Sequence, residues 1–160
     1  MDDLDIPGTP SSCEEILVQT KALGFDMVSE PRVGALLAAL AASKPSGRLL
    51  ELGTGTGHGT AWLLSGMDAN ATLDTVDTDA SVLALARAHL GTDSRVTFHV
   101  ADAAQFIERA PQARFDLIFA DAWAGKFSHL EPTLALLRPG GIYIVDDLLP
   151  QPTWPEGHAP

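Results

Sequence analysis

Cysteine is almost absent from this 160-residue chain: Cys13 stands alone, so no internal disulfide forms, and a reducing compartment, the cytoplasm, is the expected setting. Basic residues are scarce as well. Ten Lys and Arg stand against 21 Asp and Glu, a formal net charge of −11. Such a surface repels phosphate backbones and anionic lipid, which argues against nucleic acid as a partner. The imbalance is heaviest over Met1–Glu30, where Asp2, Asp3, Asp5, Glu14, Glu15, Asp26 and Glu30 oppose Lys21, as in a solvated leader. Long apolar runs are lacking too. Val33–Ala42, the most apolar stretch, is far shorter than the ~20 residues that span a bilayer. No basic segment precedes an apolar one near Met1, so neither a membrane association nor a secretory signal is expected.

What remains is an ordinary globular composition, 46% hydrophobic and 19% charged, long enough to build one core without covalent staples. Residues 1–11 hold two prolines and three aspartates without periodicity and read as a mobile arm. Residues 12–160 then form a single domain. Ser12 with Glu15 is a capping box opening a helix that runs to Leu23 and ends at Gly24. Pro31 fits the first turn of a second helix, with Val33, Leu36, Leu37 and Leu40 at helical spacing. Strand-length apolar runs follow at Arg48–Leu52, Thr72–Val76, Arg95–Val100, Phe115–Ala120 and Ile142–Val145. Helical segments lie between them: Thr60–Ser65, Ser81–Leu90, Ala103–Ala110, and one ending at Leu137 before a Pro139-Gly140-Gly141 turn. In the last of these, Glu131 is the expected cap and Pro132 the first helical residue. Strands alternating with helices predict an α/β fold, a Rossmann-like doubly wound parallel sheet with helices on both faces.

The first strand runs into Glu51-Leu52-Gly53-Thr54-Gly55-Thr56-Gly57-His58-Gly59, where an open α/β sheet binds its ligand. The spacing excludes the dinucleotide fingerprint G-x-G-x-x-G/A, because the third position falls on His58 or Thr60. It also excludes a phosphate loop, since the only Gly-Lys pair, Gly125-Lys126, is followed by Phe127.

The run E-x-G-x-G-x-G resembles the cofactor loop of class I S-adenosylmethionine-dependent methyltransferases. The resemblance implies S-adenosylmethionine as cofactor, held by Glu51, Gly53, Thr54, Gly55, Thr56, Gly57 and Gly59, with the Glu51 carboxylate orienting the cationic methionine part. Asp77, ending the second strand, is placed to accept both ribose hydroxyls, and Asp79 to cap the next helix. Asp102 and Ala103 correspond to groups near adenine, with helix capping the other reading of Asp102.

Downstream, Phe115-Asp116-Leu117-Ile118-Phe119-Ala120-Asp121-Ala122-Trp123 and Leu137–Asp147 are similar to the catechol and caffeoyl-coenzyme A O-methyltransferase branch. That branch implies methyl transfer to a small hydroxylated, phenol- or diol-like substrate, and a divalent cation such as Mg²⁺ on Asp121, Asp146 and Asp147. Asp147 stands where the branch has Asn, and the alternative without a metal has Asp121 contacting the cofactor's amino group while Asp146 and Asp147 end a strand. Asp121, Lys126 and Asp146 are the candidate catalytic residues, although Lys126 follows Asp121 by five positions where the branch has three. Gly59 replaces a small hydroxyl residue, leaving the cofactor carboxylate to Thr60 or backbone amides. Trp123 and Trp154 are candidate walls for a flat substrate, His158 is either a base or a surface histidine, and Trp62 reads as core. An N-methyltransferase, an aminopropyltransferase-like enzyme and a non-catalytic cofactor- or partner-binding module remain the alternatives. Relatives of this fold have seven strands and five are in view, so a shortened chain is expected. The other explanation is a homodimer in which a second subunit covers the edge at Gly141–Asp146.

Overall fold

The computed structural model describes residues 6–25 and 27–148. Five strands form one parallel sheet in the order β3-β2-β1-β4-β5: β1 (Arg48–Leu52), β2 (Thr72–Asp77), β3 (Val96–Val100), β4 (Phe115–Ala120) and β5 (Leu137–Val145). Around it lie α1 (Ser11–Leu23), α2 (Pro31–Ala42), α3 (His58–Gly66), α4 (Ala80–Leu90), α5 (Ala103–Arg109), the short turn α6 (Trp123–Lys126) and α7 (Leu130–Leu134). Alternate residues along a strand point to opposite faces. Leu49, Leu73, Leu117 and Phe119 therefore join Ile16, Leu37 and Trp62 in one core, while Leu50, Leu52, Val76 and Ile118 join Ile107 and Leu136 in the other. Both faces are covered, which is why the strands read as nearly continuous apolar runs. Trp62 is core, as expected, at 2% exposure.

Three local expectations give way to tertiary context. Helix α1 begins at Ser11 with Pro10 at its N-cap and no side-chain cap, so the Ser12–Glu15 box does not form; Gly24 closes the helix in the left-handed region as expected. Helix α7 begins at Leu130, with His129 at the N-cap. Pro132 is its third residue, where a missing N–H removes no intrahelical bond; the first such bond runs from Thr133 N–H to the His129 carbonyl. Most consequential, Pro139, Gly140 and Gly141 lie within β5. From Phe115 to Leu117 β4 advances two residues while its partner advances five, from Leu137 to Ile142. The surplus bulges at the sheet edge, where proline is tolerated because its nitrogen is not needed for the ladder.

Strand β5 is the last in the order, and Ile142, Tyr143, Ile144 and Val145 are only half-buried. Among the described residues no helix is long and apolar enough to cross a membrane. The sheet is laid down outward from β1 in both directions, through β2 to β3 on one side and through β4 to β5 on the other. That reversal opens a crevice above the carboxyl ends of β1 and β4.

Candidate active site

A cleft of about 970 Å³ occupies this crevice. The turns after all five strands reach it, through Gly53 and Gly55, Asp77, Asp102 and Ala103, Asp121, and Asp146 with Asp147. Gly53 sits at φ +96°, and a Cβ there would lie 2.5 Å from the Asp121 carbonyl oxygen, so only glycine lets the loops after β1 and β4 pass this closely. Thr54, Thr56 and Gly57 turn away from the cleft. The Thr54 hydroxyl pairs with Thr75 at 2.6 Å, Thr56 meets Thr20 at 2.8 Å, and Gly57 closes against Ala86 of α4.

Glu51 lies under the loop at 1% exposure. Register sets it beside Thr75 on β2, and the first turn of α3 adds Thr60. The Thr60 and Thr75 hydroxyls both donate to Oε2, at 2.5 and 2.6 Å. Oε1 has no partner. Burial pushes the carboxyl up to about 8 against the pull of the two hydroxyls, with Asp121 and Asp77 adding a smaller push. A Cβ on residue 59 would lie 2.8 Å from Oε1, so Gly59 leaves that oxygen open. Thr60, one candidate for the cofactor carboxylate, is committed to Glu51 instead.

Asp77 accepts from the Gly55 and Asp79 N–H groups at 2.8 and 3.0 Å. Its position in the cleft is thus locked to the glycine loop. Asp79 caps α4 through the Ser81 and Val82 N–H groups, as expected. Asp102 caps α5 through Gln105 N–H while still lining the cleft.

At the other end of the cleft, Lys126 Nζ donates to Asp121 Oδ1 at 3.0 Å, and Lys126 is 7% exposed. The five-residue spacing is accommodated because Gly125, at φ +94°, turns the chain back on itself. Ser29 Oγ approaches Asp121 Oδ2 at 3.4 Å. Burial raises Asp121 to about 6, opposed by Lys126 and reinforced by Asp146 and Asp147. Asp147, at φ +50°, is also raised, first by burial and then by Asp146. The Asp146 carboxylate accepts the Asp147 N–H at 2.9 Å. The three carboxylates expected to bind a divalent cation therefore sense one another's charge. Among the described residues, however, no group of three or more His, Cys, Asp or Glu is arranged to hold a metal ion. As they stand these residues do not fit the metal: Lys126 supplies the positive charge at Asp121.

The Trp123 and Phe127 rings meet at 4.9 Å, tilted by 54°, and line the cleft with Met27 and Leu148. Trp154 and His158 lie outside the described residues. Three contributors were not anticipated: Thr75, Ser29 and His58. Thr75 needs the strand register, and Ser29 comes from the segment before α2. His58 was visible inside the glycine run but had no assigned partner; it is 4% exposed, with its Nε2 3.4 Å from Trp62 Nε1.

Sheet order, switch-point cleft and glycine loop together define a class I methyltransferase fold. Residues 50–148 match the family described as a methyltransferase domain, and the chain belongs to that family, its similar relatives being named O-methyltransferases. A Mycobacterium tuberculosis relative named "Probable O-methyltransferase" is 36% identical over 121 residues, 72% of this chain and 54% of that protein. The chain thus spans about half the length of the curated relatives it matches. The O-methyltransferase TomG of Streptomyces achromogenes, involved in tomaymycin synthesis and solved with S-adenosylmethionine, is 27% identical with a TM-score of 0.73, covering 84% of this chain and 64% of its own. The Bacillus cereus O-methyltransferase, solved with S-adenosylhomocysteine, is 28% identical with a TM-score of 0.73, covering 84% and 65%.

Proposed function

We propose that this domain binds S-adenosylmethionine across the glycine loop and directs its methyl group to an oxygen of a small phenol- or diol-like acceptor. The carrying observation is the cleft itself, lined by Asp77 and by the part-buried Lys126–Asp121 pair beside Trp123 and Phe127, with Glu51 in the small cavity that also borders Asp121. S-adenosylmethionine, when bound, supplies a sulfonium methyl that an oxygen nucleophile takes as the carbon–sulfur bond breaks and S-adenosylhomocysteine leaves. Asp77 offers two carboxylate oxygens for the ribose hydroxyls, and an ammonium arriving at Glu51 draws that carboxyl into its ionised form, with Oε1 as the acceptor.

Near Trp123 and Phe127, Lys126 holds the acceptor oxygen as its negative charge develops. Asp121, raised by burial, is a stronger base than an ordinary carboxylate and takes the acceptor's proton. Asp146 accepts a second acceptor hydroxyl where one is present. Alignment and charge stabilisation are the protein's contribution, because the donor is intrinsically reactive. The test is transfer of label from methyl-labelled S-adenosylmethionine to a panel of phenols, diols and amines, with Mg²⁺ and with chelator. Labelled methyl ethers formed in chelator support the reading. Label on amines alone, or turnover lost in chelator, contradicts it.

A further inference from the structure

Lys126 reaches Asp121 through an irregular reversal of the chain rather than along a regular helix. Within α6, Ala124 is extended at ψ 131° and Gly125 lies at φ +94°. The reversal closes partly on itself. The Gly125 N–H donates to the Ser128 carbonyl at 2.7 Å, and the Phe127 and Ser128 N–H groups donate to the Trp123 carbonyl at 2.9 and 3.2 Å. Bonds of this kind give the turn its shape but leave open where it sits on the sheet.

A side chain from another element supplies an anchor. Tyr143, the chain's only tyrosine, lies on β5 beside Ile118 of β4 and packs on the core face that carries Leu52 and Ala120. Its hydroxyl donates to the Gly125 carbonyl. Burial raises that hydroxyl to about 12 against the pull of Thr133, so it keeps its proton and remains a donor at neutral pH. A Cβ on residue 125 would lie 2.9 Å from Leu52 Cδ1 and 3.2 Å from the Tyr143 oxygen. Glycine therefore serves twice here, in taking a positive φ and in letting the turn settle against Leu52 within reach of the hydroxyl. Lys126 is the next residue, its side chain largely covered and its ammonium 3.0 Å from Asp121 Oδ1. A small misplacement of a charged group at a reacting centre lowers the rate steeply, so what seats this turn matters.

We propose that Tyr143 is a positioning residue for Lys126: its hydroxyl, by holding the Gly125 carbonyl, sets the depth of the α6 turn and so the seat of the Lys126 ammonium against Asp121. Its consequence for turnover rests on the reading of Lys126 above.

The test compares the wild-type chain with Tyr143→Phe, which removes the hydroxyl and keeps the ring. Lysines are acetylated with limiting acetic anhydride and the extent at each is read by peptide mass spectrometry, with exposed Lys21 of α1 as the reference. Lys44, whose ammonium bonds the Gly140 carbonyl, reports any loosening of β5 itself. Lys126 should react about fivefold faster relative to Lys21 in Tyr143→Phe than in the wild type, the equilibrium weight of one hydrogen bond, with Lys44 unchanged. An unchanged Lys126 rate, or the same acceleration at Lys44, overturns the proposal. Transfer from methyl-labelled S-adenosylmethionine reads the consequence, a kcat lowered about tenfold with the KM for this donor unchanged. Faster acetylation of Lys126 with turnover intact in both Tyr143→Phe and Lys126→Met supports the positioning and overturns the reading of Lys126. Should Tyr143→Phe fail to melt cooperatively, ¹⁹F NMR of the chain carrying 3-fluorotyrosine at its one tyrosine decides, because coupling between two groups runs both ways. Lys126→Met then moves the Tyr143 resonance and Lys21→Met does not; no movement, or the same movement from both, overturns the proposal.

Discussion

The two ends of the cleft are built on different principles. At the cofactor end, Asp77 and Glu51 are fixed by the Gly55 and Asp79 N–H groups and by the Thr60 and Thr75 hydroxyls before any ligand arrives. At the acceptor end, Asp121 is paired with the Lys126 ammonium, and Asp121 and Asp147 both feel that cation and the charge of Asp146. The first end is organised by hydrogen bonds within a short stretch of chain and across one strand pair. The second is organised by electrostatics between residues on β4, α6 and the end of β5. Preorganised hydrogen bonding favours tight, specific binding, whereas a cation beside raised carboxylates favours proton and charge handling.

The largest effect should come from removing the charge that holds the acceptor end together. Lys126→Met is expected to lower methyl transfer by about 10²-fold or more while S-adenosylhomocysteine affinity stays within about threefold, measured by initial rates and calorimetry. Equal losses in both would dissolve the division between the two ends. Next, Asp77→Ala removes the ribose acceptor and should weaken S-adenosylhomocysteine about 10- to 100-fold, with Asp77→Asn intermediate.

A third test uses the raised carboxylates. Glu51 is protonated in the folded chain up to about pH 8 but ionises near 4.5 when unfolded, so the folded state binds more protons between these values. Stability of the ligand-free protein should therefore fall as pH rises from about 4.5 to about 8. Glu51→Gln should flatten that slope in thermal melts. Asp121, raised to about 6, should make turnover fall as pH drops through that value, because the proton acceptor becomes protonated. The smallest effect is expected at Asp102, whose carboxylate caps α5. Asp102→Ala should cost about 1 kcal/mol of stability and change S-adenosylhomocysteine affinity by less than about threefold; a larger loss of affinity would move Asp102 into the binding set.

The same contrast explains what could be read from the chain. Strands β1 and β4 match their expected bounds, because a strand buried on both faces is a continuous apolar run with polar or turn residues at each end. Asp77 was legible because it ends the second strand, where the sheet's topology delivers it to the crevice. By contrast, β5 begins five residues before the expected Ile142, since Pro139 and two glycines signal a turn locally while an edge strand can absorb them as a bulge. The Ser12–Glu15 box and the expected Glu131 cap failed for a similar reason: Pro10 and His129 occupy the cap positions that the tertiary path demands. At the acceptor end, the three aspartates were found but not the arrangement, because spacing along the chain does not reveal that Gly125 turns Lys126 back onto Asp121. His58 had no assigned partner because its burial against Trp62 is visible only in three dimensions.

The most direct test of the central claim is a competition at the glycine loop, in which the purified chain is titrated calorimetrically with S-adenosylmethionine, S-adenosylhomocysteine and NADH in turn. One-to-one binding of the first two, weakened in Asp77→Ala, and no heat from NADH is the predicted result. Binding of NADH with no response to either sulfonium or thioether ligand would contradict it.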